Sequence, residues 1–236
     1  VDRYVAINLQ SFARIVDELD GIDIQICFSP LSKENSALQS IADDISDNTT
    51  SSLFFSLAFL SITPGAIKNA VMKVKEDNKI FSYGIADKKV KGLSETKKPL
   101  LGVAVHKPDG SVSVVNAEAL REAPEPFRSE PTGGAGTRMH HKFIVIDFDK
   151  PAGRVYMGSY NFSASADKSN GENLVLIRDQ RVAVSYMVEA VRLFDHYHFR
   201  VAQLDKKAAK KQLQLAKPPR KPGEKPWWME DYTDPR

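Results

Sequence analysis

Apolar positions along the chain switch repeatedly between helical and strand spacing. Phe12, Ile15, Val16 and Leu19 recur with helical period and stop at Asp20-Gly21. Ile22 to Phe28 alternates as a half-buried strand does and ends at Ser29-Pro30. Leu38, Ile41, Ala42 and Ile45 then mark one face of a helix. Leu53 to Leu60 is a continuous apolar run of strand length, as expected of a strand covered on both sides. Thr63 is placed to cap the next helix and Pro64 to occupy its first position, with Ile67, Ala70, Val71 and Val74 as its stripe. Ile80 to Ile85 reads as a further strand. Strand, helix, strand, helix, strand predicts an α/β fold: a mixed, largely parallel β-sheet flanked by helices.

The second half is less regular. Leu100 to Val105 and Ser111 to Val115 flank Pro108-Asp109-Gly110 and read as a hairpin. Residues 116–138 run through a short helical stretch, Pro124 and Pro126 into the glycine-rich run 132–137. Phosphate-cradling glycine loops feed a helix, whereas this run feeds a strand, so it reads as a flexible loop. Strands follow at 139–147, 154–159 and 173–177, then an amphipathic helix over 181–198 with Val182, Tyr186, Ala190 and Phe194 on one face. No internal repeat is visible. The pattern divides the chain into an N-terminal helix or linker at 1–21, a domain at 22–200 with an irregular insertion at 88–138, and a tail at 201–236.

Composition narrows the class. The chain has 236 residues, 42% hydrophobic and 27% charged, which suits one globular domain with an appendage. No apolar run reaches the roughly 18 residues needed to cross a bilayer, the best being Leu53 to Ile62, and the compartment stays open. Cys27 is the only cysteine, which excludes an intrachain disulfide and a zinc-thiolate cluster, and its place in an alternating run predicts a buried, inert thiol. The net charge is only +3, but Lys206, Lys207, Lys210, Lys211, Lys217, Arg220, Lys221 and Lys225 face a single acid, Glu224. That tail suits a nucleic acid or an anionic membrane, or is simply solvated. Trp227-Trp228 beyond it reads as an interfacial anchor, a base-stacking pair or a packing contact.

Candidate chemistry is concentrated in Met139-His140-His141-Lys142-Phe143-Ile144-Val145-Ile146-Asp147, then Gly158-Ser159-Tyr160-Asn161 and Gly171-Glu172-Asn173. Residues two apart on a strand share a face, so His140 goes with Lys142 and Ser159 with Asn161. Pairing the two strands gathers an imidazole, an ammonium, a hydroxyl and a carboxamide. That set suits a phosphoryl group, with one nucleophile, one fixed positive charge and two hydrogen-bonding groups.

These residues resemble the phospholipase D superfamily, whose motif is His-x-Lys, four residues, Asp, a spacer and Gly-Ser-x-Asn. His140, Lys142, Asp147, Gly158, Ser159 and Asn161 fill it in order, with a lengthened turn around 149–153. The resemblance is close over about 139–200 and is absent from 88–138 and the tail. It implies a metal-independent phosphodiesterase without a cofactor, acting through a covalent phosphohistidine. His140 is then nucleophile or general acid, Lys142 and Asn161 bind phosphoryl oxygens, Ser159 supports that site, and Glu172 orients His140. Asp147 completes the motif and is expected to hold local structure.

No other histidine supplies a second motif. His106 precedes Lys107 and reads as a surface hairpin position; His196 and His198 point to different sides of a helix and read as packing or capping at its end; His141 faces away from His140. The chain therefore holds half of a complete site, to be filled by a dimer partner across a two-fold axis or by an N-terminal half. The start at Val1 and the spare helix at 1–21 favour a fragment of a longer two-motif protein. The basic tail, and the lack of a long amphipathic membrane helix, lean toward nucleic acid as substrate. A phospholipase D or cardiolipin synthase-type phosphatidyl hydrolase or transferase is the alternative, and a non-catalytic binding domain of the same fold is the rival of another class.

Overall fold

The computed structural model describes residues 21–60, 65–77, 79–87, 90, 102–106, 112–116, 139–208 and 223. Among them, eight strands form one sheet: β1 (Asp23–Phe28), β2 (Ser52–Leu57), β3 (Phe81–Ala86), β4 (Gly102–His106), β5 (Val112–Asn116), β6 (Lys142–Ile146), β7 (Arg154–Gly158) and β8 (Asn173–Arg178). Their order is β1-β8-β7-β6-β2-β3-β4-β5. The helices are α1 (Ala37–Asn48), α2 (Ala66–Glu76), α3 (Ala164–Lys168) and α4 (Gln180–Ala208).

The layered α/β architecture with a mixed sheet agrees with the sequence pattern, but the sheet is not largely parallel. Only β2 and β3, joined through α2, run parallel; every other pair is antiparallel. A parallel neighbour requires a long crossover, and the short turn at 147–153 can make only a hairpin between β6 and β7. The strand, helix, strand order of β1, α1 and β2 is present as expected. Those two strands are nonetheless kept apart, because β8, β7 and β6 lie between them.

Period-two alternation sorts side chains to two cores. Leu53, Phe55 and Leu57 of β2 join Ile144, Ile146, Tyr156, Leu174 and Leu176 beneath α1 and α2. Phe54, Ile85, Phe143, Val145 and Val155 meet Ala183, Ala190, Phe194 and Tyr197 of α4 on the other face. All six residues of β2 are buried, which is why large apolar residues point to both of its faces, with only Ser52 and Ser56 among them. Burying each such large side chain contributes about 1.5–3 kcal/mol. A half-buried carboxylate ties α1 to β7: Arg154 donates to Asp44 through Nε (2.7 Å) and Nη2 (2.9 Å), and the Tyr156 hydroxyl donates at 2.8 Å. Burial acts to raise the Asp44 pKa, and these bonds outweigh it, leaving the group below its ordinary value.

Three local expectations change. His106 is not on the surface: it is 1% exposed, with its ring 5.9 Å from that of Phe55. It stands opposite Gly84 in the β3–β4 pair, where the missing side chain leaves room for the Phe55 ring that packs against it. α4 continues to Ala208, so His196 lies inside a helix rather than at its end, edge-on to Tyr197, and Lys206 and Lys207 of the expected tail are helical. α2 starts at Ala66 after Gly65, while the expected cap at Thr63 and Pro64 lies outside the described residues. The helix at 1–21 up to Asp20, the 88–138 insertion apart from Val90, β4 and β5, and the tail from 209 apart from Gly223 also lie outside them. Cys27 is half-buried against the α1 and α2 core, and burial pushes its thiol pKa up.

Candidate active site

The line of β6 continues backward beyond Lys142 through His141 and His140. Leu57 pairs with Lys142, and the Ala58 amide donates to the His141 carbonyl at 2.9 Å. The same register sets Phe59 across from His140, and their rings meet edge to face at 5.6 Å and 86°. His140 itself is exposed. The Lys142 ammonium donates to the His140 carbonyl oxygen at 3.0 Å. Partial burial lowers the Lys142 pKa, against the opposing pull of the Glu172 carboxylate. His141 turns to the α4 side, its Nδ1 3.3 Å from the Ser56 hydroxyl oxygen. Partial burial pulls its imidazole below the ordinary value, against the charge of Glu189.

β7 ends at Gly158, whose φ of +129° is open to glycine alone. A Cβ at that position would run into the Asn173 carbonyl oxygen. This close approach lets the two strand ends interlock. Ser159 N–H donates to Asn173 Oδ1 (3.1 Å), Asn173 N–H donates to Ser159 Oγ (3.0 Å), and Tyr160 N–H donates to the Asn173 carbonyl (3.0 Å). Asn161 Nδ2 then donates to Glu172 Oε1 at 3.0 Å, and Asn170 Nδ2 reaches the same oxygen at 2.9 Å. The backbone of Glu172 is clamped from β1: Ser29 N–H donates to its carbonyl at 2.9 Å, and its own N–H donates to Ser29 Oγ at 3.1 Å. Ser29 Oγ in turn donates to the Asn170 carbonyl at 2.8 Å.

His140, Lys142, Ser159, Asn161 and Glu172 thus stand on the adjoining ends of β6, β7 and β8. Asp147, counted with the motif and expected to hold local structure, does not join them. It lies past the far end of β6 and is 2% exposed. There it accepts from the amides of Thr50, Ser51 and Ser52 and from the hydroxyls of Thr50 and Ser51. Burial acts to raise its pKa, and the bonds from residues 50–52 outweigh that and leave it lowered.

Glu172 occupies the site without a hydrogen bond or ion pair to the His140 ring. Asn161 and Asn170 hold one of its oxygens, while Glu172 Oε2 and Asn161 Oδ1 are buried and have no hydrogen-bond partner among the described residues. Buried acceptors of this kind are uncommon and call for a donor. No three His, Cys, Asp or Glu side chains converge on a metal position among the described residues, and no described helix is long and apolar enough to cross a membrane.

Several residues that shape the site carry no signal in the linear pattern. Ser29 and Phe59 act through pairings between segments far apart in the chain. Asp167 is one more: it accepts from the Tyr160 hydroxyl (2.7 Å), from Ser36 Oγ (2.7 Å) and from the Ala37 amide (3.1 Å), so it caps α1 and steadies the loop bearing Asn161. Burial and that bond push the Tyr160 hydroxyl pKa well up.

A family described as "Cardiolipin synthase, PLD-like domain" matches residues 110–194, which contain every site residue above apart from Ser29 and Phe59. Over these residues the chain is similar to the phospholipase D superfamily. Among superfamily relatives, it is 50% identical over 48 residues to the phospholipase D of Rickettsia conorii, covering 20% of this chain and 22% of that protein. It is 35% identical over 79 residues to the mitochondrial cardiolipin hydrolase of Xenopus laevis, covering 33% of this chain and 34% of that one. The match therefore spans between a fifth and a third of these relatives' length. Among solved structures, the phospholipase D family member Nuc from Salmonella typhimurium aligns with 74% of this chain and 95% of its own, at 18% identity and a TM-score of 0.41. NucT from Helicobacter pylori aligns over 74% and 96%, at 18% identity and a TM-score of 0.42.

Proposed function

We propose that this chain is a phosphodiesterase acting through a covalent phosphohistidine, its site completed by a second His-x-Lys motif from a dimer partner or another half of the same protein. The observation that carries the reading is the half-filled constellation. An exposed imidazole, an ammonium and a carboxamide stand together, and beside them two buried acceptors have no donor. A second imidazole N–H is the kind of group that would satisfy Glu172 Oε2.

In this reading a ring nitrogen of His140 attacks phosphorus as the P–O bond to the leaving alcohol breaks. The second histidine delivers a proton to that alkoxide oxygen. Water then attacks the phosphohistidine, gives its proton to the second histidine, and releases His140 and the phosphate monoester. Lys142 and Asn161 hold the non-bridging oxygens, where negative charge builds in the transition state. Asp147 has no part in the reaction.

Two substrate classes have separate support. The cationic segment 206–225 suits a nucleic acid. The names of the matched relatives, a phospholipase D and a cardiolipin hydrolase, favour a phosphatidyl substrate. The test is turnover of bis(p-nitrophenyl) phosphate in excess EDTA by this chain and by His140→Ala, followed by single-stranded DNA and cardiolipin vesicles in parallel. Metal-free turnover that falls roughly a thousandfold or more in the variant is expected. Turnover equal in both chains would sink the mechanism. No turnover by either chain would leave the site to be completed by another half of the same protein; unchanged binding of DNA or vesicles in His140→Ala, still without turnover once that half is supplied, would mark a binding domain instead.

A further inference from the structure

We infer that Phe59 is a positioning residue for the His140 ring, an assignment that rests on the phosphohistidine reading above. Three independent observations meet at this side chain. The β2–β6 register, carried on by the bond from the Ala58 amide to the His141 carbonyl, places Phe59 directly across from His140. The two rings pack edge to face at 5.6 Å and 86°, a preferred aromatic geometry. Phe59 also has a left-handed backbone, φ 68°, a conformation that a bulky residue seldom adopts. Its amide donates at 3.1 Å to the carboxylate of Asp87, itself only 2% exposed.

A strained φ that persists on a bulky residue at a reactive site must be held there by its surroundings. Here the strain does something definite: it turns the chain out of β2 at the point where the phenyl ring meets the imidazole. The carboxylate expected to orient His140 gives one oxygen to Asn161 and Asn170 and makes no hydrogen bond to the ring, and the imidazole makes none among the described residues. Within one chain, the orientation of the nucleophile is therefore set by an aromatic wall. A nucleophile held in line by packing loses rate when the wall is removed, because small misplacements at the reacting atom are costly.

The experiment compares the full chain with Phe59→Leu, Phe59→Gly and Phe59→Tyr. Glycine removes the ring while suiting the backbone; tyrosine keeps the ring. Histidine-selective NMR, with His140 assigned by its loss in His140→Ala, reads the ring directly. The expected result is that the His140 ring-proton shifts move in Phe59→Leu and Phe59→Gly and return in Phe59→Tyr. The kcat for bis(p-nitrophenyl) phosphate should fall on the order of tenfold in the first two with KM nearly unchanged. His140 shifts that stay the same in all variants would overturn the assignment, as would a change confined to KM, which would make Phe59 a substrate contact. Should the wild-type chain show no turnover by itself, the NMR comparison would still decide whether Phe59 sets the ring.

Discussion

The two ends of β6 carry charge in opposite conditions. Past its C-terminal end, Asp147 is buried and accepts from three consecutive amides and two hydroxyls. At the site end, Glu172 keeps one oxygen without a donor, the His140 imidazole is exposed, and the Lys142 ammonium leans on a backbone carbonyl. One continuous motif, His140 to Asp147, therefore serves two purposes. The saturated end holds β6 to the start of β2, and the unsaturated end keeps its polar groups available for a ligand. A fully satisfied polar cluster rigidifies, whereas an unsatisfied one is tolerated in a fold mainly where it has a use.

Substitutions at the two ends should separate rate from stability. Lys142→Met is expected to lower turnover of bis(p-nitrophenyl) phosphate on the order of a hundredfold to a thousandfold. Its urea midpoint should hardly change, and a large drop in stability would end the division between the two ends. Asp147→Ala should do the reverse. It strands the amides of residues 50–52 and should lose about 3 kcal/mol in denaturant unfolding, with turnover per folded molecule kept. The acid limb sharpens this. Because the folded Asp147 pKa is depressed, its contribution is present above the unfolded value of about 3.9 and is lost as pH falls through the folded one. Stability of the wild type should therefore fall more steeply below about pH 4 than that of Asp147→Asn. Gly158→Ala blurs the comparison by design, since it is structural yet sits at the reactive end. Its Cβ meets the Asn173 carbonyl, so a loss of roughly 2 kcal/mol should appear together with reduced turnover. Stability lost with turnover per folded molecule intact would show that the Ser159–Asn173 interlock does not set the site.

Much of this arrangement is legible in the linear pattern because it is local. His140 and Lys142 share a strand face by parity, the hairpin from β6 to β7 is short, and the apolar run at 53–60 announces a strand buried on both sides. What the pattern conceals is adjacency. Nothing near Ile22 to Phe28 says that this strand joins β8 rather than β2, and the consecutive α/β order suggests parallel neighbours that β6, β7 and β8 displace. The same blindness hides Phe59, which matters only because β6 lies against β2. It also hides Ser29, whose partners are 141 and 143 positions away. His106 reads as a surface position for a related reason: its burial rests on the Phe55 ring, which sits over Gly84 on the neighbouring strand.

The pairing of β1 with β8 has a consequence for the order in which the molecule is built. Asp23 and Arg178, bridged at the start of that pair, are 155 positions apart. Contacts between such distant segments carry a large loop-closure entropy and tend to form late. On a ribosome, β1 must wait unpaired until β8 has emerged. Ser29, which follows β1 directly, can grip Glu172 only then. The carboxylate of the site is thus fastened by the last seam of the sheet to close, so a nascent chain carries its histidine and lysine well before it can hold them in a working arrangement.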